Sequence, residues 1–389
     1  MSSQKSPSSV FSLVFLPTLS CNCKCLHCFE NLNNSHLSLG NTEVIFAKIL
    51  ELVKTIECRT LKVYWQGGEV LGLDPETVGR ILEMATAVFH DSGVLLEHHL
   101  QTNLLPYDTQ KWQALLSQFH LGTISSSLDF PNLYRKTPSL APKLYNQAWL
   151  KKREAAVRDG FTVSVVSLPN PETLRLGAGR FYQYFREEIG IKNLQINFPF
   201  PGKGKGLRPL NLQALAEFMS ELYAIWVSSG RDLNLSPFRA LEGRIWQATG
   251  PPLSCCWSFS CAQSLLAVGP DGMVGQCDCW ITYFSNFFFG SLLEHPVGDL
   301  WDSPARKAFL DRPLRLLRDS ACGECRFWRI CHGGCPVRAY AFSGDLFAPD
   351  YYCQVYQAMF TAVLSQTDPL PIPGQNHGRD DHVRRAQEN

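Results

Sequence analysis

From residue 11 to about 230, short β-branched apolar runs alternate with longer stretches whose apolar positions recur at helical spacing. The runs at 11–17, 60–65, 95–101, 122–128, 162–167 and 192–198 predict strands. Between them, 41–55, 75–91, 107–119, 143–159, 176–189 and 210–229 predict helices, several opening or closing on residues such as Asn41, Pro75, Gly160 and Gly190. Six successive β-α units demand a parallel sheet with right-handed crossovers. They suit an α/β fold built as an open, partial (β/α)6 TIM-like barrel, although a doubly wound sheet has the same local pattern. In either case ligands sit at the C-terminal ends of the strands.

After residue 250 the alternation stops, and Cys, Gly, aromatic and turn residues dominate up to Cys353. That composition predicts a small, loop-rich, cysteine-rich domain stapled by metal rather than by an extended core. The expected organisation is a disordered N-terminus over 1–10, the barrel over 11–235, the cysteine-rich domain over 236–365 and a disordered tail over 366–389. The segment Gly202-Lys-Gly-Lys-Gly206 lacks the spacing of a phosphate loop and is expected to be a mobile loop at the barrel mouth.

Charge removes several functions. With 36 Lys+Arg against 35 Asp+Glu and no block of like charge, neither a nucleic acid nor an anionic membrane is an expected partner. The apolar run from Val10 to Leu16 is too short to span a bilayer and poor as a signal peptide, so a cytoplasmic location is expected. Fifteen cysteines then need a cause, because a reducing cytosol does not sustain disulfides. Four fall at 21–28 and ten at 255–353, with only Cys58 between, and such clustering points to metal ligation.

The segment Cys21-Asn-Cys23-Lys-Cys25-Leu-His27-Cys28-Phe29 follows the first predicted strand directly, which puts its thiols on a loop at the barrel mouth. Three cysteines on a four-iron cluster leave one iron open to bind a substrate; a zinc knuckle is the plainer use of such a loop. The spacing C-x3-C-x2-C of Cys21, Cys25 and Cys28, followed by Phe29, resembles the radical S-adenosylmethionine (SAM) superfamily. The resemblance implies that the open iron chelates SAM, whose reductive cleavage releases a 5′-deoxyadenosyl radical. Cys23 falls outside this register and is expected to be a bystander, and His27 a solvent-facing loop residue.

Polar residues at the next strand ends look like the SAM-lining segments of that superfamily. They are Gly67-Gly68-Glu69, where glycines let the backbone approach the methionyl amine, then Gln101-Thr102-Asn103, then Ser127 and Asp129. Taken singly, these residues are ordinary turn glycines and caps.

The C-terminal cysteines carry the most specific pattern. Ten residues separate Cys261 from Gly272 and four separate Gly272 from Cys277; then come Cys322-x2-Cys325-x5-Cys331-x3-Cys335 and a last Cys353. This resembles the SPASM extension of radical SAM enzymes, and Cys255 looks like the additional ligand found in anaerobic sulfatase maturases. The resemblance implies three 4Fe-4S clusters in all, one with an open iron and two auxiliary. Cys255, Cys261, Cys277 and Cys335 would hold the first auxiliary cluster, and Cys322, Cys325, Cys331 and Cys353 the second. Cys256 can replace Cys255 with a small loop shift, and Cys58 and Cys279 fit neither set; Cys58 reads as a buried small apolar residue. Asp278 matches the position where sulfatase maturases place a proton acceptor, and the plain alternative is a turn aspartate.

The resulting expectation is a peptide- or protein-modifying maturase, of the sulfatase-maturing or RiPP type. A small-molecule radical SAM dehydrogenase or mutase and a non-enzymatic zinc-stabilised module are the rivals. Implied partners are a peptide or protein substrate, an electron donor such as flavodoxin or ferredoxin, and a separate leader-peptide-binding protein, since only about ten residues precede the first strand.

Overall fold

The structure, a computed structural model, describes residues 10–201, 209–246 and 255–366. The expected disordered ends and the Gly202–Gly206 loop therefore lie, apart from Val10 and Gln366, outside the described residues.

Strands β1 (Val10–Thr18), β2 (Thr60–Gly67), β3 (Leu95–Thr102), β4 (Thr123–Ser127), β5 (Thr162–Ser167), β6 (Asn193–Ile196) and β7 (Asn234–Ser236) lie side by side, each parallel to the next. Between them run helices α1 (Leu39–Thr55), α2 (Pro75–Phe89), α3 (Thr109–Leu116), α4 (Pro142–Arg158), α5 (Pro171–Gln183) and α6 (Leu212–Ser228), and α7 (Phe238–Trp246) follows β7. The helices begin where polar side chains can cap them: Ser38, Asp74, Asp108, Asn170 and Asn211 each accept from a backbone N–H of the first turn. The six expected strands and helices are all present. The α5 helix starts five residues before the expected 176, at a capping box formed by Asn170 and Thr173, and continues into a π-helical turn over Tyr184–Glu188. At three residues, β7 is too short to show a period, and the expected domain boundary at 235/236 falls inside it.

The cysteine-rich region joins the same sheet. Strand β8 (Leu265–Val268) pairs parallel with the free edge of β1, and β9 (Met273–Gly275) and β10 (Gly290–Ser291) continue it antiparallel. Short helices α8 (Asp278–Ile281), α9 (Val297–Trp301) and α11 (Trp328–Cys331) alternate with longer ones, α10 (Pro304–Asp319), α12 (Pro336–Ser343) and α13 (Cys353–Leu364). These longer helices were not expected, because Pro313 interrupts the pattern of α10 and cysteines and aromatics crowd the others.

The apolar core lies between sheet and helices. Phe15 of β1 meets Phe46 of α1 and Trp65 of β2, and Trp65 meets Phe119, all as tilted or edge-on rings. α13 packs on α6, and Phe198 beyond β6 contacts Tyr352 and Tyr356 from the C-terminal region. No helix among the described residues is long and apolar enough to cross a membrane.

Candidate active site and metal centres

The first cysteine group sits at the C-terminal end of β1, as its place in the sequence requires. Its loop is paired to another: Lys24 N–H donates to Lys136 O (2.8 Å) and Leu26 N–H to Tyr134 O (3.0 Å). The segment 134–136 is in turn anchored by a buried ion pair, Arg135 Nε to Asp129 Oδ2 at 2.8 Å. Asp129 also accepts from Leu168 N–H (2.9 Å), so its carboxylate ties β4, β5 and the cysteine loop together.

Within the loop Cys23 is buried, and its thiol hydrogen-bonds to both Cys21 and Cys25. That hydrogen bond is the main cause drawing the Cys25 thiol down to about 6, with burial opposing and the Arg135 cation assisting. Cys21 is lowered by the same donor. Cys23, expected to be a bystander to ligation, thus lowers the pKa of both neighbouring thiols. His27, expected in solvent, is buried and meets Tyr134 edge-on, while Phe29 stacks on Phe200.

The strand ends beside this loop are joined by hydrogen bonds. Gly67 has φ +115°, and a Cβ there would lie 2.4 Å from Thr18 O; a Cβ on Gly68 would lie 2.1 Å from Ser20 O. The two glycines let the end of β2 reach the backbone just before Cys21, where Gly68 N–H donates to Thr18 O and Glu69 N–H to Ser20 O, both at 2.9 Å. The Glu69 carboxylate, 2% exposed, accepts from Leu71 N–H (3.0 Å), Asn103 N–H (2.6 Å) and the Thr102 hydroxyl. Burial pushes its pKa up to about 7. Asn103 Nδ2 donates to Asn22 Oδ1 (2.6 Å), and Gln101 Nε2 to Ser127 Oγ (3.0 Å). Glu69, Thr102 and Asp129 are thus engaged inside the protein, whereas Gln101, Asn103 and Ser127 are only partly buried at the mouth.

The second cysteine group separates into two sets. Cys322, Cys325, Cys331 and Cys353 line one cavity, closed by Phe327, Trp328, Tyr356 and Phe360. Burial raises the Cys353 thiol, and proximity to Cys322 and Cys325 raises it further. In the other set, burial pushes the Cys255 thiol well up, and Cys256, Cys335, Cys261 and Cys277 add to this. Cys255 is exposed as a residue, but its sulfur is crowded by protein. Thiols held this close suit a metal, which relieves their mutual repulsion as thiolates. Cys256 lies beside Cys335, Arg338 and Asp350, toward the other set.

Two buried cations, which nothing in the sequence pattern marked, hold these loops. Arg312 donates to the carbonyls of Gly333, Gly334, Leu346 and Ala348 at 2.7–3.0 Å. Arg338 pairs with Asp350 at 2.8 Å, and Asp350 accepts from Cys335 N–H (2.7 Å) and Tyr352 N–H (2.9 Å).

Asp278 opens α8 next to Cys277. Burial raises its carboxyl, and its partners are Cys279 and the Gln66 side chain of β2. Gln66, also unmarked in the sequence, brings Asp278 to the barrel mouth beside the Gly67–Glu69 turn.

A family model for the SPASM iron-sulfur cluster-binding domain matches residues 255–326. A cysteine-type anaerobic sulfatase-maturating enzyme of Clostridium perfringens strain 13 is 26% identical over 368 residues, covering 90% of this chain and 95% of that protein. The chain resembles the radical SAM enzymes that carry a SPASM domain. In fold, the enzyme is similar to anSMEcpe with bound AdoMet and Cp18Cys peptide (TM-score 0.75, 22% identity, 91% and 97% coverage). It is also similar to Streptococcus suis SuiB bound to precursor peptide SuiA (TM-score 0.58, 16% identity, 88% and 76% coverage).

The glycine contacts predict a stability test. Gly68→Ala should cost about 1–3 kcal/mol, because its Cβ meets backbone that cannot swing away. Gly72→Ala, whose Cβ meets nothing nearer than 3.8 Å, should stay within about 0.5 kcal/mol of wild type in urea unfolding.

Proposed function

We propose that the enzyme cleaves SAM reductively and oxidises a side chain of a peptide or protein substrate, with a cysteine-bearing peptide as the first candidate. The observation that carries this reading is the placement of Asp278: a carboxylate from the cysteine-rich region, adjacent to Cys277 and next to the Gln66 side chain at the mouth of the barrel. The C. perfringens relative is named for maturing sulfatases of the cysteine type, and the SuiB structure holds a precursor peptide; both favour a peptide over a free metabolite.

In this reading Cys21, Cys25 and Cys28 hold the open-site cluster. Cys255, Cys261, Cys277 and Cys335 hold one auxiliary cluster, and Cys322, Cys325, Cys331 and Cys353 the other. When bound, these groups and SAM supply a 5′-deoxyadenosyl radical for hydrogen abstraction and a sink for the electron that oxidation releases. The protein's own residues do the rest. Phe29, Gln101, Asn103 and Ser127 offer polar and aromatic contacts to SAM, while Gly67, Gly68, Glu69, Thr102 and Asp129 shape the ends of the strands that carry them. Asp278 accepts the proton that the substrate loses, and its raised pKa brings it closer to the basicity such a transfer needs. Electrons for SAM cleavage come from a donor such as flavodoxin or ferredoxin.

Anaerobically purified protein is expected to hold iron and sulfide near about twelve each per chain if all three sites carry cubanes; stoichiometric zinc without sulfide would end this reading. Replacing Cys21, Cys25 and Cys28 together by Ala should leave about eight irons and abolish 5′-deoxyadenosine formation.

Incubation with SAM, dithionite and a cysteine-containing peptide, followed by mass spectrometry, tests the reaction itself. Asp278→Asn should keep its iron and still cleave SAM, yet form about 10²- to 10⁴-fold less product. Product at the normal rate would make Asp278 a turn residue, and loss of iron would make it a support for Cys277.

A further inference from the structure

A polar cluster that the proposed reaction does not use lies on the face of the sheet turned away from the helices. Alternate residues of β3 divide between the two faces. His98 turns toward the helix layer, where its Nδ1 accepts from Trp65 Nε1 (2.9 Å), so Glu97 and His99 occupy the other face. His120, in the turn leading into β4, closes on the same spot.

Glu97 Oε2 lies 3.4 Å from His99 Nε2 and 3.9 Å from His120 Nδ1, and the three ligand atoms all lie within 4.8 Å of one another. Ligand atoms about 2.0–2.1 Å from a tetrahedral zinc stand about 3.4 Å apart. One edge of such a site is therefore already formed, and the others need only small side-chain movements. Tyr64 stacks on His99 with ring centroids 4.9 Å apart and planes 20° apart, which fixes the imidazole plane. The cluster is remote from the SAM end, because Glu97 precedes Asn103 by six residues, roughly 20 Å along a strand.

We propose that Glu97, His99 and His120 form a binding site for one divalent first-row transition metal, of which zinc suits the donor set best. Two imidazoles and a carboxylate favour such an ion over calcium or magnesium, and three protein ligands leave a fourth position for water. The ion ties the turn before β4 to β3 at the floor of the barrel. Lys62 Nζ stands 3.5 Å from the same Glu97 oxygen and competes for it; its side chain is 33% exposed and turns out into solvent when the metal enters.

The test uses cluster-loaded enzyme equilibrated anaerobically with zinc sulfate, then washed in metal-free buffer, with zinc and iron per chain measured by elemental mass spectrometry. Wild type is expected to retain one zinc more than Glu97→Gln or His99→Gln, at unchanged iron. His120→Gln, at a position 34% exposed in its side chain, should fold as wild type and bind zinc at least about tenfold more weakly. Lys62→Met, with the three ligands intact, should bind at least as tightly as wild type. Equal zinc in wild type and all three ligand variants would overturn the proposal, as would loss of the zinc in Lys62→Met.

Discussion

Strand β1 is hydrogen-bonded along both edges, and the arrangement of the sites depends on this. On one side Phe15 aligns with Trp65 of β2; on the other it aligns with Val268 of β8. A parallel strand paired on both edges cannot slip without exposing its core face, so the loop that leaves its C-terminal end starts from a defined point. That loop carries Cys21, Cys25 and Cys28. The same pairing draws the cysteine-rich region into the barrel's sheet, and α8, two strands beyond β1, then presents Asp278 to Gln66 of β2. The link between the two cysteine groups is thus a continuous sheet rather than a flexible tether.

Buried charge does the remaining positioning. Asp129 with Arg135, Asp350 with Arg338, and Arg312 with four carbonyls all sit where irregular backbone would otherwise leave polar groups without partners. Such pairs cost desolvation and add little net stability, but removing one partner strands the other. Their use here is geometric. Each holds a loop that carries or flanks cysteines, and helices or strands cannot do that work across so many turns. A buried arginine also stands near thiols of each group: Arg135 near Cys25, and Arg338 near Cys335 and Cys256. These are fixed positive charges of the kind that tune iron-sulfur centres.

The Gly67-Gly68-Glu69 turn joins strand ends in addition to resembling a ligand-lining motif. Its glycines give room to the protein's own backbone at Thr18–Ser20, and Glu69 is the acceptor that joins β2 to β3. The motif therefore also acts on the site by placing the cysteine loop.

Much of the architecture was legible in the residues alone. The six β-α units followed from local periodicity, which depends on which face of each strand or helix is buried, and the cysteine spacings identified the SPASM pattern because ligands of one cluster must recur at workable loop lengths. The helices α10 and α13 were hidden, since Pro313 and the density of cysteine and aromatic residues mask their period. Contacts between residues distant in the chain were beyond any local pattern: the β1–β8 pairing, the approach of Gln66 to Asp278, the carbonyls gathered by Arg312, and the meeting of Glu97, His99 and His120. Sequence spacing records what lies on one strand or one loop. Which strands become neighbours, and hence which side chains share a site, is decided only when the sheet assembles and the cost of burying each polar group selects its partner.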